Sequence, residues 1–180
     1  MAVRHGRLMY ARDQAIIATP IGVVRVVATT THLVSLSIEQ GHALIAPVTP
    51  LLNAAQTQLH EWFSGIRRDF DLPLLPLESD RGNALRQGMI AISFGATISY
   101  GALARMLNSS PRAIGQACAR NPLPIIVPCH RVLAAGGVLG AYSGGDGPAT
   151  KAWLLAHEQR YAPSPAGQLD FRQLDNQTTA

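Results

Sequence analysis

Between residues 14 and 40 the chain runs in short blocks of β-branched and small apolar residues: Ile16-Ile17-Ala18-Thr19, Gly22-Val23-Val24-Arg25-Val26-Val27-Ala28 and His32-Leu33-Val34-Ser35-Leu36-Ser37-Ile38. Broken by Pro20-Ile21-Gly22 and Thr29-Thr30-Thr31, these blocks predict an antiparallel sheet with tight turns. From about Thr49 to Ser64 the period becomes helical, with Leu51, Leu52, Ala55, Leu59, Trp62 and Phe63 on one side, and Gly65 ends it. Paired prolines in Asp71-Leu72-Pro73-Leu74-Leu75-Pro76-Leu77 forbid a regular helix, so this stretch is read as an extended connector, with a domain boundary near residues 71–80. After Arg81 the pattern predicts helices at about 82–92, 100–107, 111–120 and 148–159, and a polar tail with Pro163 and Pro165 that frays. The reading is therefore α+β: an N-terminal domain and connector over 1–75, a helical functional domain over 76–160 and a tail over 161–180.

The 180 residues, 47% apolar and 14% charged, suffice for one or two small cored domains and exclude a disordered tail or a coiled coil. No signal-length apolar stretch follows the charges of Met1-Ala-Val-Arg-His-Gly-Arg, and nowhere do about 18 apolar residues run uninterrupted. No membrane segment is expected. Cys118 and Cys129 form no C-x-x-C pair, which argues against a disulfide framework or a zinc knuckle and for a reduced, cytoplasmic protein. The net charge of +4 is uninformative until positions are attached. From Arg81 to Gly145 there is no Asp or Glu, while Arg81, Arg86, Arg105, Arg112, Arg120 and Arg131 contribute +6. Lys151 is the sole lysine among 15 basic residues, so a basic surface would be made of guanidinium groups suited to phosphates.

Ser99 to Arg120 reads as two short helices around Asn108-Ser109-Ser110, with Ser110 at an N-cap and Pro111 at the first helical position. Such a pair is a candidate helix-turn-helix, although this spacing also suits plain packing. Ala113, Gly115, Ala117 and Ala119 give the second helix little bulk. A helix is about 10–12 Å across with its side chains and the minor groove about 6 Å wide, so small residues would allow close approach to a widened groove. Arg112 would then act as a wedge or fill the gap left by an extruded base. Otherwise the small residues serve helix packing and Arg112 is a solvated charge.

The densest signal is Asn121-Pro122-Leu123-Pro124-Ile125-Ile126-Val127-Pro128-Cys129-His130-Arg131-Val132, where three prolines rigidify an apolar run ending in a cysteine beside two potential cations. Those neighbours are expected to lower the thiol pKa, as nucleophilic chemistry requires. Cys118, among small helical residues, reads as a core cysteine. Adjacent residues on an extended segment face opposite ways, so His130 is expected to reach Cys129 through a water and to need a third group to orient it. Glu158, on the apolar stretch Ala152-Trp153-Leu154-Leu155-Ala156-His157-Glu158, is either buried with a partner or at the surface. Gly136-Gly137-Val138-Leu139-Gly140-Ala141-Tyr142-Ser143-Gly144-Gly145 lacks the spacing and lysine of a P-loop and suits a loop closing over a flat ligand.

Pro128-Cys129-His130-Arg131-Val132, preceded by Asn121-Pro122 and followed by Tyr142-Ser143-Gly144-Gly145 and Trp153-Leu154-Leu155-Ala156-His157-Glu158, resembles the O6-alkylguanine-DNA alkyltransferases, or methylated-DNA–protein-cysteine methyltransferases. The resemblance is strong from Ser99-Tyr100 to Glu158 and weaker from residue 16. It implies a ribonuclease H-like N-terminal sheet with a helix, a C-terminal helical domain with a helix-turn-helix, and no cofactor. Cys129 would be the alkyl acceptor, His130 and Glu158 the relay that deprotonates it through water, and Asn121 a tie between the turn after the recognition helix and the active-site segment. Tyr100 would contact phosphate, help rotate the base out and donate a proton to it. Tyr142, Ser143, Val132 and the Pro124 region would form the guanine pocket, and Arg112, with Ala113, Gly115 and Ala117, would meet DNA. The implied reaction is stoichiometric transfer of an alkyl group from O6 of guanine, or O4 of thymine, to the cysteine of a monomer that needs no protein partner. The partner would be double-stranded DNA carrying alkylated guanine, bound through its minor groove.

The chain departs from the family pattern where Arg86 stands at a tryptophan position and where the following turn reads Ile92-Ser93-Phe94-Gly95. It also lacks the N-terminal cysteines of relatives that bind zinc, so no metal is expected. Two other readings are a lesion-binding sensor without transfer activity, which the presence of Cys129 opposes, and a Cys–His thiol hydrolase, which leaves Arg112 and the small-residue helix without a role.

Overall fold

The computed structural model of the protein describes residues 12–41 and 43–162; the expectations for Met1–Arg7 and for the tail from residue 163 lie outside the described residues. Strands β1 (Asp13–Thr19), β2 (Gly22–Ala28) and β3 (Leu33–Glu39) form an antiparallel sheet in the order β1-β2-β3. The β1–β2 hairpin turns through Pro20 and Ile21, and Gly22, at φ +110°, lies where a Cβ would meet the Glu39 carbonyl at 2.6 Å. Thr29 closes the next turn, its hydroxyl oxygen accepting from the amides of Thr31 and His32.

Helix α1 (Pro50–Phe63) starts where the N-cap geometry dictates, with the Thr49 hydroxyl accepting from Leu52 N. Its Leu52, Ala55, Leu59 and Trp62 are fully buried and join the core that includes the inner faces of β1 and β2. Gly65 ends the turn at φ +75°, and a Cβ there would lie 2.1 Å from the Tyr161 ring. The proline connector does more than span: Leu33 N donates to Pro73 O and Leu75 N to Leu33 O, so it pairs with β3. One buried cluster then continues into the second half of the chain, and Leu36 N on β3 donates to Pro122 O just ahead of the segment that carries Cys129.

The second half carries α2 (Asp80–Ile90), α3 (Tyr100–Met106), α4 (Pro111–Ala119) and α5 (Pro148–Tyr161), each close to its expected limits. A two-residue parallel pairing of β4 (Ile98–Ser99) with β5 (Val132–Leu133), too short to leave a periodic signal, fixes the start of α3 beside the active-site segment. α2 and the turn after α3 meet at Gly88, where a Cβ would lie 2.3 Å from Leu107.

The altered 81–95 stretch is thus a packed helix followed by a tight turn. Arg86 is buried on α2 and donates to Leu75 O at 2.7 Å. Phe94 is buried against Trp62, and Gly95, at φ +77°, donates its amide to Glu158 Oε2 at 3.0 Å. Glu158 is itself fully buried and receives Arg131 Nε and Nη2 at 2.8–3.1 Å. Among the described residues no helix is long and apolar enough to cross a membrane.

Glu158 makes the fold acid-sensitive. Burial alone would raise its pKa, but the hydrogen bonds from His130 and Arg131 and the charge of Arg131 outweigh that and hold it at about 2, against an ordinary 4.5. A carboxylate lowered in the folded state stabilises fully above the unfolded value and loses that contribution as pH falls from 4.5 towards 2, a span worth about 3 kcal/mol. Urea unfolding should show this loss in the wild type. The Glu158→Gln protein should be less stable at neutral pH by about 3–5 kcal/mol, because Arg131 is left buried and uncompensated, with the gap closing in acid. A gap independent of pH would count against the assignment.

Candidate active site

Pro128 leads into a single 3₁₀ turn over Cys129–Arg131, so these residues are not extended as the sequence suggested. The tight turn sends consecutive side chains to separate neighbours. The Cys129 sulfur accepts from Asn121 Nδ2 at 3.2 Å, while His130 and Arg131 both reach Glu158 on α5. Asn121 also donates to Val127 O at 2.8 Å and accepts from Leu123 N at 3.1 Å, tying the end of α4 to the segment that carries the thiol. Ile125, within that segment, is held at φ +73°, a conformation a β-branched residue adopts only when its surroundings impose it.

The thiol is not acidified by its sequence neighbours. Burial pushes the Cys129 pKa up, and the lowering effects of the Asn121 amide, Lys151 and its own backbone do not compensate. The expected cationic environment fails because Arg131 spends its guanidinium on Glu158 and Ile92 O, and because burial holds His130 neutral. The resting nucleophile is therefore a protonated thiol that needs a base.

His130, the next residue of the turn, pairs with Glu158. Its Nε2 lies 2.7 Å from Glu158 Oε1, and a carboxylate can only accept, so the proton of the neutral ring is assigned to Nε2. Nδ1 is then a bare acceptor, buried and without a hydrogen-bond partner. Desolvation lowers the His130 pKa from 6.5 in spite of Glu158, which favours the neutral ring.

A cavity of about 270 Å³ opens onto the sulfur, lined by Tyr100, Gly115, Cys118, Ala119, Cys129, Ala141, Tyr142 and Ser143. Of the expected pocket residues, Tyr142 and Ser143 line it, whereas Val132 and Pro124 are buried outside its walls. Tyr142 Oη is buried without a partner. Cys118, expected to be a core thiol, also reaches the cavity, yet it donates to Met89 Sδ, and burial pushes its pKa up to about 12.

The small residues of α4 divide between two faces. Arg112, Gly115 and Ala119 lie along one side by helical spacing, with Arg112 exposed at the N-terminal end and Gly115 and Ala119 at the cavity. Nothing lies within 4 Å of where a Gly115 Cβ would be, so packing does not explain this glycine. Ala113 and Ala117 are half-buried and line a groove towards α2 instead. Of the six arginines between 81 and 145, Arg86 and Arg131 are buried and cannot meet phosphate; Arg81, Arg105, Arg112 and Arg120 remain exposed.

Sequence reasoning missed Lys151. Its ammonium is fully buried, donates to Val132 O at 2.7 Å, lies 5.9 Å from the centre of the Tyr100 ring and acts electrostatically on both thiols. The one lysine of an arginine-based chain, set in an apolar helix, was the available signal. A compact ammonium leaves fewer donors beyond that carbonyl than a guanidinium fork would.

Residues 83–160 match the model of the 6-O-methylguanine DNA methyltransferase DNA-binding domain. The methylated-DNA–protein-cysteine methyltransferase of Mus musculus is 41% identical over 98 residues, which are 53% of this chain and 46% of the relative. The chain thus spans about half the length of the rodent relatives it matches. The constitutive methyltransferase of Bacillus subtilis (strain 168) is 40% identical over 113 residues, 62% of this chain and 68% of the relative. Mycobacterium tuberculosis O6-methylguanine methyltransferase superposes with a TM-score of 0.74 at 31% identity, covering 86% of this chain and 96% of the other. The same organism's protein in complex with DNA gives 0.72 at 33% identity, covering 83% and 94%. With the Cys129–His130–Glu158 constellation assembled on that shared fold, the chain belongs to the methylated-DNA–protein-cysteine methyltransferase family.

Proposed function

We propose that this protein repairs DNA by moving a methyl or larger alkyl group irreversibly from guanine O6 to Cys129 Sγ. The observation that carries the reading is a cavity that meets both Cys129 and the Gly115–Ala119 side of α4, with His130, whose Nε2 pairs with Glu158 and whose Nδ1 has no partner, next to Cys129 in the same turn. In this reading α3 and α4 act as a helix-turn-helix that enters the minor groove of double-stranded DNA, residues 76–160 form the functional domain, and the N-terminal sheet with α1 is its ribonuclease H-like support. Arg112 fills the stack left by the extruded nucleotide, and Tyr100 contacts its phosphate.

The thiol proton passes through a water to His130 Nδ1, and the resulting imidazolium is stabilised by Glu158. Sulfur attacks the alkyl carbon in line, forming the S–C bond as the C–O6 bond breaks. Tyr100 donates the proton that neutralises the departing guanine, and Tyr142 and Ser143 hold its edge. The thioether has no leaving group, so each molecule acts once.

Incubation with duplex DNA containing O6-methylguanine should add one methyl group to the intact mass, on the peptide holding Cys129. Cys129→Ala should bind the same DNA and remain unmodified. Tight binding by the wild type with no mass change would replace repair with lesion sensing, and continued turnover would point to a hydrolase.

The transfer rate on prebound DNA should stay level as pH falls through 6.5, because burial holds His130 neutral below its ordinary value. A half-maximal rate at pH 6.5 would show a solvent-like histidine and defeat the relay.

Gly115→Leu should fold with a Tm no lower than wild type, since open space lies beside the residue, while slowing transfer from duplex DNA about tenfold or more. With four exposed arginines rather than six as phosphate contacts, the slope of log K against log salt should be about −3.6 rather than about −5.4.

A further inference from the structure

The alkyl-transfer reading makes no use of a second cavity, of about 480 Å³, between the connector, α2 and the segment leading to Cys129. Its apolar wall includes Phe70, Leu72, Leu74 and Ile90, and its polar part includes Arg86 and Arg68. Arg86 is the unusual member. It stands at a core position of α2 between Leu85 and Met89, is 4% exposed, and forms no ion pair with any described residue. Its Nη1 is spent on Leu75 O, and no hydrogen bond of its Nε or Nη2 to the described residues is present.

A buried guanidinium without a counter-ion is costly, and desolvation lowers the Arg86 pKa from its ordinary value. Arg131, which also borders the cavity, is paired with Glu158 and Ile92 O and adds positive potential. Asp69 lies at the exposed rim, and Arg68 is exposed opposite the buried charge.

We propose that this cavity binds a small organic carboxylate, its headgroup on Arg86 and its apolar body against Phe70, Leu72, Leu74 and Ile90. A guanidinium edge pairs with a carboxylate through two parallel N–H···O bonds, and the cavity has the size and mixed lining of small-molecule sites. The apolar wall selects against a bare inorganic anion, which would gain nothing from it.

The test is calorimetric titration of the full chain with benzoate, benzamide and inorganic phosphate. Benzoate should bind saturably and benzamide about tenfold or more weakly, because it lacks the charge that Arg86 pairs with. Arg86→Met, checked for cooperative unfolding, should reduce benzoate affinity by a similar factor. In the wild type, the Arg86 Nε–H resonance should shift along the benzoate binding curve, which locates the site without relying on the variant. Equal affinity for acid and amide, an unmoved Arg86 resonance, phosphate binding tighter than benzoate, or no saturable benzoate binding would each overturn the proposal.

Discussion

The carboxylate of Glu158 is the point on which the rest of the site depends. A fully buried anion is tolerated only when its oxygens are paired and hydrogen-bonded, and here the partners come from two separate turns. His130 and Arg131 belong to the turn that carries the nucleophile, and the Gly95 amide to the turn after α2. Since α5 supplies the carboxylate, this one group aligns three segments. It also fixes the tautomer of His130, and so decides which ring nitrogen can act as a base.

That arrangement gives a reagent that stays quiet until needed. A thiol acidified by an adjacent cation would be a thiolate at rest, open to oxidation and stray alkylation. Burial keeps Cys129 protonated, and the positive groups beside it in sequence are directed to Glu158. On the proposed mechanism, ionisation is thereby coupled to the arrival of a substrate and a proton path. In the transfer proposed above, which would consume the protein, a nucleophile that fires only in the complex avoids loss to side reactions.

Much of this was legible in the sequence because the signals were local. Ser110-Pro111 announces the start of α4, Thr49-Pro50 that of α1, and the Pro128-Cys129-His130-Arg131 run marks the chemistry. What was not legible depends on direction. Nothing in the spacing of Cys129, His130 and Arg131 tells a 3₁₀ turn from an extended segment, or shows the burial that raises the thiol pKa. The same holds for charge: six arginines in an acid-free stretch sum to a basic surface only if all point outward, and Arg86 and Arg131 point in. Lys151 was visible as the lone lysine, but its bond to the Val132 carbonyl depends on the long-range return of α5.

The split of α4 into two faces follows from the same constraint. Its inward positions, Ile114 and Cys118, fix the helix on the core, which leaves Ala113 and Ala117 towards α2 and Arg112, Gly115 and Ala119 towards the cavity mouth. A helix that served packing alone would use its glycine where another chain segment approaches, as α2 does at Gly88 against Leu107. Gly115 faces open space, and a glycine there forfeits up to about 1 kcal/mol of helix stability relative to alanine. The loss is intelligible if the space is reserved for a molecule that must come closer than a Cβ allows, directly beside the sulfur that would act on it.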